Sequence, residues 1–145
     1  MLEPDRFSIL HGDFRLDNLL FDPDHTRISV VDWQTLTVGL PARDLAYFIA
    51  SGLEPELRAQ VEKELVADYH GALLDHGVRD YDLDTCWRDY RIGMPQVPLI
   101  TALAVAFVTS TERGDDVMVA MLQRSLRAIR ELGTLELIRE LSAAS

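Results

Sequence analysis

The spacing of apolar residues divides the chain at about residue 40. Before that point, residues 18–22 and 27–31 form two short runs that are rich in apolar and β-branched side chains. The segment 22–26 (Asp-Pro-Asp-His-Thr) is typical of a turn, so the two runs predict a β-hairpin. A short extended segment, residues 7–10, is predicted to lead into it.

After residue 40, apolar residues recur every three or four positions, which is the spacing of amphipathic helices. This pattern predicts a helix from Pro41 to about Ser51 and a second helix from residue 54 to about His76. The buried stripe of the second helix is expected to be its four-residue repeat, Leu57, Val61, Leu65, Tyr69 and Leu73. Further helices are predicted after an aspartate cap at 80–84, over 99–111 as a buried helix, from Asp116 onward, and over 135–141 beyond Gly133. We therefore predict a mostly α-helical fold with a small β-hairpin.

Composition and charge narrow the class of protein. The chain has 145 residues, of which 48% are hydrophobic and 26% are charged, as expected for one globular domain over residues 1–145. A formal net charge of −10 disfavours a nucleic-acid partner. Cys86 is the single cysteine, which excludes an intramolecular disulfide and suits a reducing compartment. Because we identify neither a signal peptide nor an apolar run long enough to span a bilayer, we expect a cytoplasmic protein with no membrane partner.

Three polar residues flank the predicted hairpin in a pattern suited to phosphoryl transfer. Asp13 lies upstream of the hairpin, Asn18 directly before its first strand, and Asp32 directly after its second strand. A carboxylate can orient an attacking hydroxyl and accept its proton, so Asp13 is the candidate general base. Mg²⁺ prefers oxygen ligands, and the hairpin would bring Asn18 beside Asp32, so these two are candidate ligands of magnesium with ATP.

The motifs resemble those of a known family. His-Gly-Asp-x-x-x-x-Asn at 11–18, Val-Asp-Trp-Gln at 31–34 and the segment 39–48 with its Asp44 resemble the C-terminal lobe of the aminoglycoside phosphotransferase and choline kinase superfamily, nearer to its ecdysteroid-kinase-like branch. The resemblance implies a protein-kinase-like C-lobe of the α+β class. Its catalytic loop and hairpin would occupy residues 9–34, and its helical subdomain residues 41–141.

The same resemblance assigns roles to individual residues. It implies that Asp13 is the catalytic base, that Asn18 and Asp32 bind magnesium and through it ATP, and that His11 and Asp44 support the catalytic loop. A small molecule with a hydroxyl group would be the acceptor. For Asp44, the alternative is a first-turn acid that stabilises its helix.

Other residues have two interpretations. By resemblance, Arg15 would contact the transferred phosphate, whereas the alternative is a solvent-facing arginine paired with Asp17 or Asp22. The matching region of the family also helps to line the substrate cleft, which makes four residues weak candidates for acceptor contacts: Trp87, Asp89, Tyr90 and Arg91. A packed aromatic pair on a helix is an equally good interpretation of this segment.

The motifs that cover the nucleotide in such kinases are not found in these 145 residues. There is no glycine-rich run, the single lysine is Lys63 in a helical segment, and only ten residues precede His11. We therefore expect a fragment or truncated form that is incomplete alone. An apolar surface left exposed by the missing lobe would be covered by a homo-oligomer, an exchanged arrangement, or a separate N-lobe polypeptide.

Two further functions remain open at this point. One is a non-catalytic kinase-like module that binds a partner or forms an oligomer. The other is a metal-dependent phosphoesterase, since His11, Asp13, Asp32 and His70 include the ligand types of a two-metal centre.

Overall fold

Four short strands near the N-terminus form two antiparallel pairs in the computed structural model, which describes residues 6–107 and 111–143. Strand β1 (Ser8–Leu10) pairs with β4 (Thr37–Gly39), and β2 (Leu19–Phe21) pairs with β3 (Ile28–Val30). The β2–β3 pair is the predicted hairpin. The β1–β4 pair was not predicted, because strands of three residues show too little alternation to mark a partner.

Six helices follow along the described chain: α1 (Ala42–Gly52), α2 (Pro55–Asp75), α3 (Leu83–Gly93), α4 (Gln96–Phe107), α5 (Glu112–Glu131) and α6 (Thr134–Ala143). The predicted aspartate cap of α3 is confirmed, since the Asp82 carboxylate accepts a hydrogen bond from the N–H of Thr85 at 2.7 Å. Gly133, with φ of 59°, separates α5 from α6 as predicted.

Two helices begin earlier than predicted. Helix α4 already begins at Gln96, because Pro98 falls in its first turn, where the missing N–H of proline is tolerated. Helix α5 begins at Glu112 rather than after Asp116, because Thr111 caps it by accepting a hydrogen bond from the N–H of Gly114 at 3.2 Å. The expectation that α4 is buried all round is also wrong, since one side of the helix is exposed: Leu99, Leu103, Val105 and Phe107. Residues 108–110 of the predicted helix lie outside the described residues.

Helix α1 lies at the centre of the hydrophobic core. Ala42, Ala46 and Ile49 on this helix are fully buried. The helix packs closely on α3 at Gly93, where a Cβ atom would lie 2.9 Å from the Cα atom of Arg43. Tyr47 and Ala50 of α1 also belong to the core. Its other buried residues come from α2 to α5 and the turn between α3 and α4: Val66, Cys86, Tyr90, Met94, Val97, Met121, Ala128 and Ile129. Any loop held by α1 is therefore attached to the most buried part of the molecule.

The buried face of α2 differs from the predicted stripe. Its buried residues are Arg58, Glu62 and Val66, whereas Leu57 is exposed and Leu65 is only partly buried. Arg58 forms ion pairs with Glu62 at 2.5 Å and with Glu131 of α5. Leu65 and Tyr69 of the predicted stripe do pack against the core, so the prediction holds in part. Apolar periodicity does not reveal Arg58 and Glu62, because these buried residues are charged and compensate each other.

Both strand pairs leave apolar side chains exposed, as expected. Ile9 and Val38 are directly paired across β1 and β4, and are 64% and 65% exposed. Phe21 and Ile28 are paired in the same way across β2 and β3, and both are exposed. None of the helices in the described ranges is long and apolar enough to cross a bilayer.

Candidate active site

The loop from His11 to Asn18 follows β1 and is held by the first turn of α1. The Asp44 carboxylate accepts hydrogen bonds from the backbone N–H groups of His11, at 2.6 Å, and Gly12, at 3.0 Å. An acid in the first helical turn is also favoured by the helix dipole. Asp44 therefore stabilises both its helix and the loop, which unites the two interpretations of this residue.

Gly12 occupies a position with no room for a side chain. Its φ is 86°, and a Cβ atom there would lie 2.4 Å from the carbonyl oxygen of Thr35. The Thr35 hydroxyl donates a hydrogen bond to the His11 carbonyl at 2.8 Å. The carbonyl of Gly12 accepts a hydrogen bond from the Gln96 side chain at 3.0 Å. The backbone of the loop is therefore fixed by α1, by the segment before β4 and by α4.

The His11 side chain links the loop to the end of β3. Its Nε2 lies 2.8 Å from the Val31 carbonyl oxygen, which can only accept, so the ring hydrogen is on Nε2. Its Nδ1 then accepts a hydrogen bond from the N–H of Asp13 at 3.3 Å. The ring packs against Trp33, with ring centroids 4.7 Å apart. His11 is buried, and each of its ring nitrogens makes a hydrogen bond, so the residue supports the conformation of this loop.

Asp13 lies at the centre of a small polar cluster. Its carboxylate accepts hydrogen bonds from the Asn18 amide at 3.2 Å and from Arg15 at 3.3 Å. The Asn18 amide also donates to the Asp13 carbonyl at 2.8 Å. Arg15 makes a second ion pair with Asp17 at 3.0 Å, which matches part of the alternative interpretation of this arginine. Three of the residues singled out in the sequence thus lie in direct contact.

Asn18 and Asp32 lie at the same end of the β2–β3 hairpin. The backbone N–H of Val31 donates to the Asn18 carbonyl at 3.0 Å, and Asp32 is the next residue. Asp32 is exposed and has φ of 65° and ψ of 53°, a left-handed conformation that aspartate tolerates better than most residues. Because the Asn18 amide nitrogen donates to Asp13, its amide oxygen is the atom that can bind a cation. One amide oxygen and one carboxylate suit a magnesium ion that also binds nucleotide phosphates.

The four ligands of the predicted two-metal centre are not brought together. Among residues 6–107 and 111–143, no group of three or more His, Cys, Asp and Glu side chains is placed to hold a metal ion. Both ring nitrogens of His11 make hydrogen bonds, with the Val31 carbonyl and with the N–H of Asp13. Nε2 of His70 lies 2.7 Å from the carbonyl oxygen of Tyr81. The phosphoesterase hypothesis therefore loses its structural basis.

A cleft of about 450 Å³ opens beside Asp13, between the loop and the helices α4 and α5. Asp13 and Arg15 lie at one side, and the opposite wall is formed largely by Ile100, Ala104, Val117, Met118 and Met121. Arg113, in the first turn of α5, also lines the cleft. The arrangement provides a carboxylate at the edge of a largely apolar cavity.

Tyr47 of α1 is a further residue of this cleft, and the sequence analysis did not identify it. It is 1% exposed, and burial, together with the adjacent Asp13 carboxylate, raises the pKa of its hydroxyl. The residue lies three positions after Asp44, so one helix contacts the loop through two side chains. The only signal in the sequence is that i+3 spacing, which Tyr47 shares with many core residues.

The four weak candidates for acceptor contacts are used in packing. Tyr90 is buried and stacks on Trp87, with centroids 5.3 Å apart. Asp89 pairs with Arg6 at 2.7 Å, and Arg91 donates to the Leu132 carbonyl at 2.8 Å. Within the described residues, none of the four lines the cleft beside Asp13. The interpretation as a packed aromatic pair is the one that the structure supports.

Comparison with known proteins identifies one matching family. The phosphotransferase enzyme family matches residues 2–83, which is more than half of the chain. This range includes the loop, the hairpin and helices α1 and α2. No solved structure matches the chain.

The relatives are much longer proteins. Acyl-CoA dehydrogenase family member 11 of Homo sapiens is 52% identical over 42 residues, which is 28% of this chain and 5% of that protein. Family member 10 of Mus musculus is 49% identical over 43 residues, covering 29% and 4%. A probable acyl-CoA dehydrogenase of Arabidopsis thaliana is 39% identical over 62 residues, covering 42% and 7%. The chain thus matches less than a tenth of the length of each of these relatives.

Proposed function

Because the chain belongs to the phosphotransferase enzyme family, we propose that it carries the catalytic lobe of a small-molecule kinase. The reaction is transfer of the γ-phosphate of ATP to a hydroxyl group of a small acceptor. The observation that carries this proposal is the direct contact of Asp13 with Asn18 and Arg15 beside a cleft, with Asp32 at the same end of the hairpin as Asn18. The finer assignment of the fold as a protein-kinase-like C-lobe belongs to the same proposal.

In the proposed reaction the acceptor hydroxyl lies in the cleft next to Asp13. The carboxylate orients the hydroxyl and takes its proton while the acceptor oxygen forms a bond to the γ-phosphorus. The bond from the γ-phosphorus to the bridging oxygen of ADP breaks, and ADP leaves. Arg15 is close enough to Asp13 to meet the transferred phosphate as its charge redistributes.

Asn18 and Asp32 are the residues that would hold magnesium, because they offer an amide oxygen and an exposed carboxylate at one end of the hairpin. A bound magnesium ion would neutralise charge on the nucleotide phosphates. The many hydrogen bonds to the loop support this function, because they hold Asp13 in place before substrate arrives.

We also propose that activity depends on further polypeptide. The glycine-rich loop and strand lysine that cover a nucleotide are not found in these 145 residues, and the relatives are far longer. The additional part would be linked to this chain or supplied by a second polypeptide. The largely apolar wall of the cleft favours an acceptor with an apolar portion near its hydroxyl group.

Titration calorimetry with ATP and Mg²⁺ tests the proposal. Saturable binding that Asp32→Asn abolishes would support the magnesium site, and Asp24→Asn in the exposed hairpin turn is the matched control. Asp13→Asn should retain binding but, once the nucleotide-covering polypeptide is supplied, lower phosphate transfer by about 10²- to 10⁴-fold. Equal binding by wild type and Asp32→Asn would contradict the assignment of the ligands.

The non-catalytic module remains the second candidate because of the exposed strand face. Ile9 and Val38 are paired across β1 and β4, and each residue is almost two-thirds exposed. Such apolar surfaces promote association. This function predicts a stable assembly, measured by light scattering, that neither binds nor hydrolyses ATP. Replacing both residues by threonine should dissociate that assembly. Binding of ATP by the wild-type chain would instead favour the kinase proposal.

A further inference from the structure

Gln96, the first residue of α4, joins that helix to the loop that carries Asp13. The residue is 6% exposed. Its Nε2 donates to the Gly12 carbonyl at 3.0 Å, and its Oε1 accepts a hydrogen bond from the Arg43 guanidinium. Arg43 precedes Asp44, which binds the N–H groups of His11 and Gly12. The first turn of α1 therefore holds the loop directly through Asp44 and indirectly through Gln96.

The hydrogen bond from Gln96 acts on the peptide unit directly before the Cα atom of Asp13. The carbonyl of that unit belongs to Gly12 and accepts from Gln96, while its N–H belongs to Asp13 and donates to Nδ1 of His11 at 3.3 Å. Both edges of the peptide plane are thus fixed by buried side chains. This plane fixes the positions of the N and Cα atoms from which the Asp13 side chain starts, so holding it limits where the Asp13 carboxylate can lie.

Gln96 also connects the loop to the cleft wall. Ile100 and Thr101 lie one helical turn after Gln96, and both line the cleft beside Asp13. Gln96 therefore contacts the loop that carries Asp13 and is also the first residue of the helix that faces Asp13 across the cleft. A displacement of the loop or of α4 would change the distance between the Asp13 carboxylate and an acceptor in the cleft. Transfer rates depend strongly on that distance.

We propose that Gln96 is a positioning residue that fixes the Asp13 carboxylate relative to the acceptor cleft. This role rests on the proposed kinase function, and it acts through the Gly12–Asp13 peptide rather than through contact with the reacting groups. Asp44 acts differently: it accepts hydrogen bonds from the N–H groups of His11 and Gly12, and it does not line the cleft.

The test compares Gln96→Glu with wild type. Glutamate has nearly the same shape and still accepts from Arg43, but it offers an oxygen instead of a donor to the Gly12 carbonyl. We expect amide hydrogen exchange in peptides covering residues 9–18 to become about tenfold faster. In the enzyme completed with the nucleotide-covering polypeptide, we expect kcat for transfer to fall about tenfold with the KM for ATP unchanged. Gln60→Glu, the same substitution at an exposed position of α2, is the control and should alter neither quantity.

Two results would overturn the positioning role. One is wild-type exchange in residues 9–18 of the folded variant, and the other is a uniform increase that includes α2 and α5, which indicates general destabilisation. If Gln96→Glu does not fold, Arg43→Met, which removes only the bond to Oε1, should give a smaller increase confined to the same peptides, and no increase would count against the proposal. Absence of transfer by wild type completed with the nucleotide-covering polypeptide would refute the kinase function, whereas hydrogen exchange would still decide the role of Gln96.

Discussion

Gly12 combines a left-handed backbone conformation with contact to a neighbouring carbonyl, so a methyl group there is both strained and obstructed. We expect Gly12→Ala to lower the free energy of unfolding by about 1–3 kcal/mol, measured by urea denaturation. Gly71 of α2 is the matched control, since a Cβ atom there would meet nothing within 4 Å. Gly71→Ala should raise stability by up to about 1 kcal/mol because alanine favours the helix. Equal effects of the two changes would contradict this account of the loop.

Tyr47 places a protonated hydroxyl beside the proposed base. Tyr47→Phe keeps the buried ring and removes only that hydroxyl, so we expect transfer to fall about tenfold with little change in the urea midpoint. Steady-state kinetics of the enzyme completed with the nucleotide-covering polypeptide, at saturating ATP and acceptor, would measure the effect. Tyr69→Phe, at a partly buried tyrosine of α2, is the control. An unchanged kcat in Tyr47→Phe would show that its hydroxyl serves packing alone.

The sequence identified the polar residues of the loop and two of the side chains that hold it, His11 and Asp44, but not Thr35 or Gln96. Asp13, Asn18 and Asp44 lie in motifs whose chemistry is local, and the structure brings them to one loop. Gln96 could not be found in this way, because its partner Gly12 is 84 positions distant and no local pattern encodes that contact. Buried polar contacts between distant segments depend on how helices pack, which a single sequence does not specify.

Helix α2 is joined to α3 and α5 by a buried polar network. Glu62 accepts hydrogen bonds from Arg58 at 2.5 Å and from the Tyr90 hydroxyl at 3.0 Å, and Arg58 also pairs with Glu131. Arg127 connects the network to the surface through Glu131 at 2.7 Å and Glu56 at 2.7 Å. Three helices are thus held in register by charge as well as by apolar packing.

Removing the central cation of this network should be costly. Arg58→Met leaves the buried Glu62 carboxylate without its ion pair, and we expect a loss of about 3–5 kcal/mol in the free energy of unfolding. The double variant Arg58→Met with Glu62→Leu removes the uncompensated charge and should recover part of that loss. Urea denaturation of both variants would decide, and a double variant less stable than Arg58→Met would contradict the electrostatic explanation.

Helices and strands differed in how well apolar spacing predicted them. The β2–β3 hairpin, α1 and the cap of α3 were predicted because each depends on a turn, a proline or an aspartate within a few residues. The buried face of α2 was predicted only in part: Leu65 and Tyr69 pack against the core, but the buried Arg58 and Glu62, whose charges compensate each other, leave no apolar signal. The start of α5 was missed because Thr111 and Asp116 are both acceptable caps, and the structure uses Thr111.

Burial of the tyrosines makes the stability of the chain sensitive to alkaline pH. Burial is the largest cause that raises the pKa of all four tyrosines, and it raises the pKa of Tyr69 to about 12. In the unfolded chain they ionise near pH 10, so between about pH 10 and pH 12 the unfolded state binds fewer protons than the folded state. The free energy of unfolding should therefore be unaffected by tyrosine below pH 10 and fall as pH rises above it.

Urea denaturation at a series of pH values from 8 to about 12 would measure this dependence. Tyr69→Phe should reduce the slope above pH 10, because phenylalanine has no proton to lose. A free energy of unfolding that stays constant to pH 12 would contradict the assignment of these groups as protonated in the folded chain.

The residues that hold Asp13 are different from those that form the opposite wall of the cleft, and this separation has a consequence for protein engineering. The loop that carries Asp13 is fixed by Asp44, His11, Thr35 and Gln96, whereas the opposite wall comes from later turns of α4 and from α5. A directed-evolution library confined to Ile100, Ala104, Val117 and Met118 would therefore diversify the acceptor side without touching any residue that holds the base. Under the kinase proposal, such a library should yield catalysts with new acceptors and an unaltered chemical step.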